Sequence, residues 1–315
     1  MKALILPTEN EAEENKEGKR EGMVKKNEFI VRPGSRPKLN NYDTAYTGEF
    51  AGEDEAREKF RLDCEEMAGL QDKLMAQESH ALLVILQSID GSGKDGTIKA
   101  IAAGLDPQGC TAHNFKKPSD IENKHDYLWR FHQGVPERGR ITFFNRSYYE
   151  EVISPRVHPE RLDKQGLPSW SRAKNIWKRR MTEINNFEQY LTDNGVVVLK
   201  LFLNLSREKQ AERLLERTVE PSKRWKFSPA DMENRGLWDE HVKAHEDMLA
   251  RTSTKAARWH IIPADHRWFT AVAVAELMVR ELRRLKLRYP SITGEDKKEM
   301  EKTQKQLSRE LKRTG

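Results

Sequence analysis

The stretch Leu82-Leu-Val-Ile-Leu-Gln-Ser-Ile-Asp-Gly-Ser-Gly-Lys-Asp-Gly-Thr97 joins an apolar run to a glycine-rich loop and the start of a helical pattern. The run predicts a buried strand, and Gly93-Lys94 is the Gly-Lys pair of a phosphate-binding loop. In such loops backbone N–H groups and a helix N-terminus hold phosphate oxygens, while the lysine reaches the transferred group. A glycine-rich turn without a ligand is the alternative. The order of strand, Gly-Lys pair and helix favours a phosphate site.

This loop departs from the usual G-x-x-x-x-G-K-[ST] pattern at both ends. Ser88 replaces the first glycine and Asp95 replaces the final Ser or Thr, so the usual hydroxyl ligand for magnesium is missing. Because Mg²⁺ prefers carboxylate and water oxygens, we expect Asp90 to hold the ion. Lys94 is expected to stabilise the transferred group. The remaining phosphate contacts are expected from Gly91, Ser92, Gly93, Asp95 and Gly96.

A second candidate loop follows residues 141–144, which resemble a Walker-B strand but are followed by Asn145 in place of Asp. An amide oxygen ligates magnesium only weakly, so we expect Glu150, or water held by it, to supply charge beside Asn145. Arg146 is expected to clamp a phosphoryl group with two hydrogen bonds. The alternative is an Asn that caps the following turn, with Arg146 and Glu150 paired on the surface.

Apolar runs of strand length recur along the chain, and helical patterns separate them. The predicted strands are residues 82–87, 111–115, 141–144, 196–203 and 259–262. The predicted helices are residues 54–77, 97–103, 121–133, 169–192, 207–217, 229–250 and 268–287. This alternation predicts an α/β fold, a three-layer α/β/α sandwich with a five-stranded parallel sheet and ligands at the carboxyl ends of the strands.

The length of 315 residues suits one principal domain with extensions. We expect a charged N-terminal arm over residues 1–53, partly disordered, a kinase-like domain over residues 54–290 and a Lys/Glu-rich tail over residues 291–315. Lys and Arg total 56 against 50 Asp and Glu, a net charge of +6, so basic residues matter only where they cluster.

The two cysteines, Cys64 and Cys110, have neither disulfide-framework nor zinc-ligand spacing, which fits a reducing cytoplasm. The apolar run in residues 1–7 is too short for a signal peptide, and no stretch approaches the roughly 20 apolar residues that span a bilayer. We therefore expect a cytoplasmic protein without a membrane partner.

Basic and aromatic residues alternate between Phe115 and Arg140, a pattern that taken alone would suit nucleic acid. Lys117, however, follows the second predicted strand and so shares a rim with the phosphate loop. We expect Lys117 and Arg130 to contact a nucleotide, and we expect no nucleic acid partner. For Lys124 a solvated helix face stays equally open.

A second basic cluster lies in and beyond the helix predicted over residues 207–217. Lys209, Arg213 and Arg217 recur every four residues on one face, which is also typical of an exposed, salt-bridged helix. Lys223 and Lys226 lie just beyond, where P-loop kinases carry a mobile lid. We expect a helical lid over residues 206–235 whose basic side chains bind phosphate.

His241 and His245 are one helical turn apart. Because no third ligand is evident, we interpret them as an exposed pair and not as a metal site.

Several segments closely resemble the polyphosphate kinase 2 family, in the same order over residues 70–287. They are the stretch quoted first, Phe115-Lys-Lys-Pro-Ser119, Phe144-Asn-Arg-Ser-Tyr-Tyr-Glu-Glu151, Arg224-Trp-Lys-Phe-Ser-Pro-Ala-Asp231, Thr252-Ser-Thr254 and Ile262-Pro-Ala-Asp-His-Arg-Trp268. The resemblance implies a P-loop kinase core with a lid, and magnesium-dependent phosphoryl transfer between inorganic polyphosphate and nucleotides. It also implies a homodimer or homotetramer.

Asn145 looks like the class III pattern of this family, whose members accept both AMP and ADP; guanine nucleotides stay open.

Two rival functions share some of these features. An ATP-dependent nucleotide monophosphate kinase has a P-loop and lid but needs no basic residues so far from the centre. A non-enzymatic nucleic-acid-binding P-loop protein would use the basic and aromatic stretch around Trp129.

Overall fold

Five parallel strands form the central sheet of the computed structural model, which describes residues 29–172 and 174–314. Their order across the sheet is β2-β3-β1-β4-β5. The strands are β1 (Ala81–Gln87), β2 (Cys110–Asn114), β3 (Ile141–Asn145), β4 (Val196–Asn204) and β5 (Trp259–Pro263). All five strands predicted from sequence are confirmed. Four of them are apolar runs, as expected of buried parallel strands, and β2 is a short edge strand with half-buried and exposed side chains.

Helices cover both faces of the sheet and confirm the three-layer architecture. They are α1 (Glu53–Gln77), α2 (Lys94–Ala102), α3 (Asp120–Asn123), α4 (Trp129–His132), α5 (Glu150–Val157), α6 (Glu160–Asp163), α7 (Ile176–Asp193), α8 (Arg207–Val219), α9 (Ala230–Gly236), α10 (Trp238–Thr252), α11 (Arg267–Arg284) and α12 (Gly294–Thr314). Short 3₁₀ turns occur at Leu39–Asn41, Ser169–Arg172 and Pro221–Lys226.

The central strand β1 is fully buried because its two faces belong to two separate cores. Leu82, Val84 and Leu86 pack in the core that includes α1, α2 and α11. Leu83 and Ile85 pack in the opposite core with α5, α7 and α10. Burying one such side chain completely contributes roughly 1.5–3 kcal/mol, so β1 holds the layers together.

The register of the sheet brings the two candidate loops together. Leu86 near the end of β1 pairs with Asn145 at the end of β3, and the Arg146 N–H donates to the Leu86 carbonyl at 3.1 Å. Parallel neighbours end on the same edge of a sheet, so the loops after β1 and β3 lie side by side.

The prediction of one continuous helix over residues 121–133 is wrong. A capping box between Ser119 and Glu122 starts α3, which ends after one turn. The Leu128 N–H then donates to the Asp126 side chain at 2.9 Å, a local turn that competes with helix continuation. Two single turns, α3 and α4, replace the predicted helix.

Other helix predictions need smaller corrections. The helix predicted over residues 229–250 breaks after Gly236 into α9 and α10. The helix predicted to start at Ser169 begins with a 3₁₀ turn, and α7 starts at Ile176. The sequence pattern did not predict α5 and α6. For α5 the reason is Pro155, a residue that normally disfavours helix interiors.

The segment over residues 29–52 packs against the domain. Phe29, Val31, Leu39 and Phe50 are buried, and the Ile261 N–H of β5 donates to the Phe29 carbonyl at 2.8 Å. Residues 1–28 of the N-terminal arm predicted over residues 1–53 lie outside the described residues. The division into arm, domain, lid and tail stays a prediction. No helix within the described part of the chain is long and apolar enough to cross a membrane.

Candidate active site

The loop after β1 depends on glycine at two positions. Gly91 and Gly93 have φ angles of +91° and +98°, the left-handed region that side chains rarely adopt. A Cβ atom on Gly91 would also lie 3.2 Å from the Gln210 side chain of α8. The helix α2 starts at Lys94, so the free N–H groups of its first turn lie at the end of this loop and suit an anion.

Lys94 lies inside the loop and is 8% exposed. Its Nζ donates to Ser88 Oγ at 2.5 Å, and Ser88 Oγ in turn lies 2.5 Å from Ser92 Oγ. Ser88, which replaces the usual first glycine, therefore holds the lysine side chain. Burial, assisted by the nearby Arg146 charge, lowers the pKa of Lys94 to about 8.

Asp90 and Arg146 form an ion pair across the two loops. Arg146 Nη2 donates to Asp90 Oδ1 at 2.5 Å. Burial would raise the pKa of Asp90, but the charges of Arg146 and Lys94 outweigh it and bring that pKa to about 2. Asp90 raises the pKa of Arg146 further above its ordinary value. The pair is therefore ionised at neutral pH.

The Arg146 backbone has a φ of +63°, an uncommon value for a residue with a side chain. Such conformations cost on the order of 1–3 kcal/mol and persist where the surroundings enforce them. Here the ion pair to Asp90 and the backbone bond to Leu86 hold the residue. In this conformation the guanidinium faces Asp90 of the phosphate loop.

The other two predicted metal ligands lie on the same segment. Asn145 Nδ2 donates to Asp95 Oδ1, and within the described residues its Oδ1 receives no hydrogen bond. Burial would raise the pKa of Asp95, but the bond from Asn145 and the Lys226 charge bring it below its ordinary value. Glu150, at the start of α5, accepts a hydrogen bond from Gln87.

These residues suit a hard cation. Among the described residues no three His, Cys, Asp or Glu side chains form a metal cage. Mg²⁺ does not need one, because it commonly keeps several waters and binds through one or two carboxylates plus substrate phosphates. The ionised Asp90 carboxylate and the free Asn145 oxygen provide oxygen donors of that kind.

A buried polar cluster behind the second loop was not found from the sequence. Glu188 Oε1 accepts hydrogen bonds from Tyr148 and Tyr149 at 2.9 and 2.6 Å, and Glu188 Oε2 lies 2.6 Å from Lys200 Nζ. Lys200 also donates to the Thr252 carbonyl at 2.5 Å. This cluster anchors the segment that carries Asn145, Arg146 and Glu150. A lysine in the middle of the apolar run 196–203 was the available signal.

The structure revises the prediction that Arg213 contacts phosphate. Its guanidinium is buried and donates to four backbone carbonyls, those of Gly91, Ser92, Ala264 and Asp265, at 2.7–3.2 Å. The side chain thus braces the phosphate loop from behind, against the turn after β5. Burial lowers the pKa of Arg213 to about 10.

The other cations predicted in the lid lie nearer the surface, and each is paired with a carboxylate. Lys209 pairs with Glu212, Arg217 with Asp231, Lys223 with Glu216 and Glu220, and Lys226 with Asp95 at 3.4 Å. Solvent screens the pairs of Lys209, Lys223 and Lys226, so an anionic ligand can displace them, whereas the Arg217–Asp231 pair is partly buried. Lys226 reaches the phosphate loop itself, through Asp95.

The two predicted nucleotide contacts differ in exposure. Lys117 is exposed just beyond β2. Arg130 is buried, with its guanidinium on the Lys116 carbonyl at 2.8 Å and on Glu151 at 3.0 Å, so it supports the surface without lying on it. The aromatic residues nearby are packed as well, with Phe131 fully buried.

The interpretation of His241 and His245 as an exposed pair is wrong. His245 is 2% exposed, and its ring packs beside Phe202 of β4 with 5.1 Å between ring centroids. His245 Nδ1 lies 2.7 Å from the His241 carbonyl. Burial lowers the pKa of His245 to about 3, so its ring is neutral. This face of α10 packs on the sheet, which the helical spacing alone does not reveal.

A comparison with known families matches residues 50–289 to the model described as "Polyphosphate kinase 2 (PPK2)". The chain is 39% identical over 285 residues to an ADP-polyphosphate phosphotransferase of Rhodopseudomonas palustris, covering 90% of this chain and 99% of that protein. It is 38% identical over 263 residues to an AMP/ADP-polyphosphate phosphotransferase of Meiothermus ruber, covering 83% and 94%.

The chain is also similar in structure to a solved member of this family. The crystal structure of polyphosphate kinase 2 from Arthrobacter aurescens TC1 superposes with a TM-score of 0.79 at 33% identity, covering 87% of this chain and 95% of that chain. The matched region contains the phosphate loop, the Asp90–Arg146 pair and the basic helix α8. On the extent of these matches, the chain belongs to the polyphosphate kinase 2 family.

Proposed function

We propose that this enzyme moves phosphoryl groups between inorganic polyphosphate and nucleotides, converting AMP to ADP and ADP to ATP. The observation that carries the proposal is the meeting of Asp90, Lys94 and Arg146 at the carboxyl edge of the sheet, in a chain whose family transfers phosphate between these substrates. Asn145 at the end of β3 matches the class III pattern and favours acceptance of both AMP and ADP. Guanine nucleotides are a further candidate.

In the proposed mechanism the terminal phosphate oxygen of the nucleotide attacks the end phosphorus of polyphosphate in line. The bond from that phosphorus to its bridging oxygen breaks, and the polyphosphate, shorter by one phosphate, leaves with the bridging oxygen. Lys94 and Arg146 stabilise charge on the equatorial oxygens, and the loop from Gly91 to Gly96 holds the phosphates. No strong base is needed, because a phosphate oxygen is already ionised. Asp90 therefore positions the reactants and does not abstract a proton.

Kinases of this family use a divalent metal ion, and we assign it as Mg²⁺. Asp90, Asn145 and Glu150 would hold it, and when bound it would neutralise negative charge on phosphate oxygens. The N–H groups of α2 and the glycine loop would share the phosphate contacts.

A long polyanion explains the cations that lie beyond the reach of a nucleotide. Lys209, Arg217, Lys223 and Lys226 lie on α8 and the following turn, each in a pair that a phosphate can replace. We propose that residues 206–235 form a lid that closes over the chain of phosphates and excludes water. Lys117 at the rim of β2 is the proposed nucleotide contact, and Arg130 supports it indirectly.

The family likeness further supports a homodimer or homotetramer in the cytoplasm. Size-exclusion chromatography with light scattering checks the assembly. A monomer at micromolar concentration contradicts this part of the proposal.

The test of function is transfer from polyphosphate to AMP, ADP, GMP and GDP in Mg²⁺ without ATP. Product from AMP and ADP supports the proposal, and absence of product from all four contradicts it. Product that forms only when ATP replaces polyphosphate would instead indicate a nucleotide monophosphate kinase. Steeply salt-dependent DNA or RNA binding that polyphosphate does not displace would indicate a nucleic-acid-binding protein.

A further inference from the structure

Asp90 is held by a residue that is far from it in sequence and outside the motifs described above. Asn234 of α9 donates from Nδ2 to Asp90 Oδ2 at 3.2 Å. The other carboxylate oxygen, Oδ1, receives Arg146. Both oxygens of Asp90 are therefore oriented by a specific donor, one from the loop after β3 and one from α9.

The Asn234 amide is itself oriented from its other end. His158, which is 4% exposed at the end of α5, lies with Nε2 2.8 Å from Asn234 Oδ1. An ionised carboxylate and an amide oxygen only accept hydrogen bonds. The amide must therefore turn Nδ2 to Asp90, and His158 Nε2 must carry the proton that Oδ1 accepts. The two hydrogen bonds therefore run in one direction, with His158 donating to Asn234 and Asn234 donating to Asp90.

The neighbouring residue makes a second connection to the same place. Arg235 Nη1 donates to Gln210 Oε1 at 2.8 Å, and Gln210 Nε2 donates to the Asp90 carbonyl at 2.8 Å. Residues 234 and 235 thus reach both the carboxylate and the backbone of Asp90. A chance surface contact would not engage the same residue twice.

We propose that Asn234, oriented by His158, is a positioning residue that fixes the Asp90 carboxylate for the divalent ion. The inference rests on the proposed function through the assignment of Asp90 as a metal ligand. Groups that orient a metal ligand typically change metal affinity or activity by about 10–100-fold when they are removed. Because α9 belongs to the proposed lid, correct metal binding then depends on the lid being in place.

The experiment measures Mn²⁺ binding by electron paramagnetic resonance on the full chain without substrate, and the Mg²⁺ concentration for half-maximal transfer. For Asn234→Ala and His158→Leu we expect the dissociation constant of Mn²⁺ and the half-maximal Mg²⁺ concentration each to rise about tenfold. His158→Gln should stay near the wild-type values, because its amide N–H can replace the Nε2–H donor. The double variant Asn234→Ala/His158→Leu should be no worse than Asn234→Ala, since both changes break one chain of bonds.

Asn194→Ala, an exposed asparagine at the end of α7, is the matched control and should leave metal binding unchanged. Thermal unfolding checks that each variant folds, and Asn234→Leu, which keeps the side-chain volume, replaces any Ala variant that does not. Mn²⁺ affinity within twofold of wild type in the folded Asn234 variant overturns the proposal. Equal defects in His158→Gln and His158→Leu overturn the role of His158.

The two proposals fail in different ways. If the wild type does not transfer phosphate from polyphosphate, the proposed function fails, while the Mn²⁺ measurement still tests the positioning role. If the wild type transfers phosphate and the Asn234 variants bind Mn²⁺ normally, only the positioning role fails.

Discussion

Two acid–base pairs hold the segment after β3 from opposite sides, and they differ in burial. The Asp90–Arg146 pair lies at the sheet edge with side chains 23% and 36% exposed. The Glu188–Lys200 pair lies behind it with both side chains 0% exposed. The outer pair keeps its charges available to a ligand. The inner pair has its hydrogen bonds satisfied by protein groups and can only position its neighbours.

The difference follows from the cost of removing charge from water. A fully buried pair is tolerated only when further hydrogen bonds compensate for desolvation. Tyr148 and Tyr149 donate to Glu188, and the Thr252 carbonyl accepts from Lys200, which supplies that compensation. A catalytic pair cannot be completed in this way, because substrate must take up the remaining bonds. Substitutions in the inner pair should therefore affect stability, and substitutions in the outer pair should affect activity.

The largest effect is expected in the inner pair. Lys200→Met leaves Glu188 buried without its cation and should lower the free energy of unfolding by about 3–5 kcal/mol. Urea denaturation measures this, with Lys178→Met, an exposed lysine of α7, as the matched control. A loss below 1 kcal/mol would show that the inner pair is not the anchor described here.

In the outer pair, Asp90→Asn keeps the shape of the side chain but removes its charge. We expect transfer from polyphosphate to ADP to fall about 10²–10³-fold, the size typical of losing one electrostatic group in a preorganised site. Stability should change by only about 1 kcal/mol, because the pair is partly solvated. Steady-state rates test the expected loss of transfer, and urea denaturation tests the expected small change in stability. Asp239→Asn, at an exposed position, is the control. A stable variant with near-normal transfer would remove Asp90 from the mechanism.

Arg213 is a further buried cation, and like the inner pair it supports the site from behind, here by bracing the phosphate loop. Arg213→Lys loses the planar fork that reaches four carbonyls and should cost about 1–3 kcal/mol of stability. The KM for polyphosphate should rise more than kcat falls, because the lysine cannot hold the loop. Arg284→Lys on the surface is the control. A large loss of kcat with unchanged stability would instead support direct phosphate contact.

The smallest effect concerns pH and Lys94. Its pKa of about 8 in the folded protein lies below the ordinary 10.5, so the folded chain releases this proton first as pH rises. Stability should therefore increase between pH 8 and pH 10.5, while polyphosphate binding, which needs the ammonium, weakens above pH 8. One pH unit above the pKa of Lys94, the affinity for polyphosphate should be lower by about tenfold. Calorimetric titration measures the affinity for polyphosphate at each pH, and Lys94→Arg should not show this loss of affinity. Equal pH profiles for both proteins would contradict this origin.

Much of the fold could be predicted because its signals are local. The strand before the phosphate loop, the Gly-Lys pair and the alternation of apolar runs with helical patterns all depend on residues close in sequence. The helix predicted over residues 121–133 failed for a local reason too, since the Asp126 side chain bonds the Leu128 N–H and so competes with helix geometry. Within the site, Asp90, Lys94 and Arg146 could be proposed because strand ends converge in a parallel sheet.

By itself the sequence determined the fold class and the position of the phosphate loop. Only the tertiary structure decided which of several equivalent-looking cations faces a ligand. Lys209, Arg213 and Arg217 are evenly spaced on α8, yet only Arg213 is buried against backbone carbonyls. The bond from His158 to Asn234 joins residues 76 positions apart, and the bond from Asn234 to Asp90 joins residues 144 positions apart. Burial and such distant bonds depend on how layers pack, and that packing depends on all elements at once.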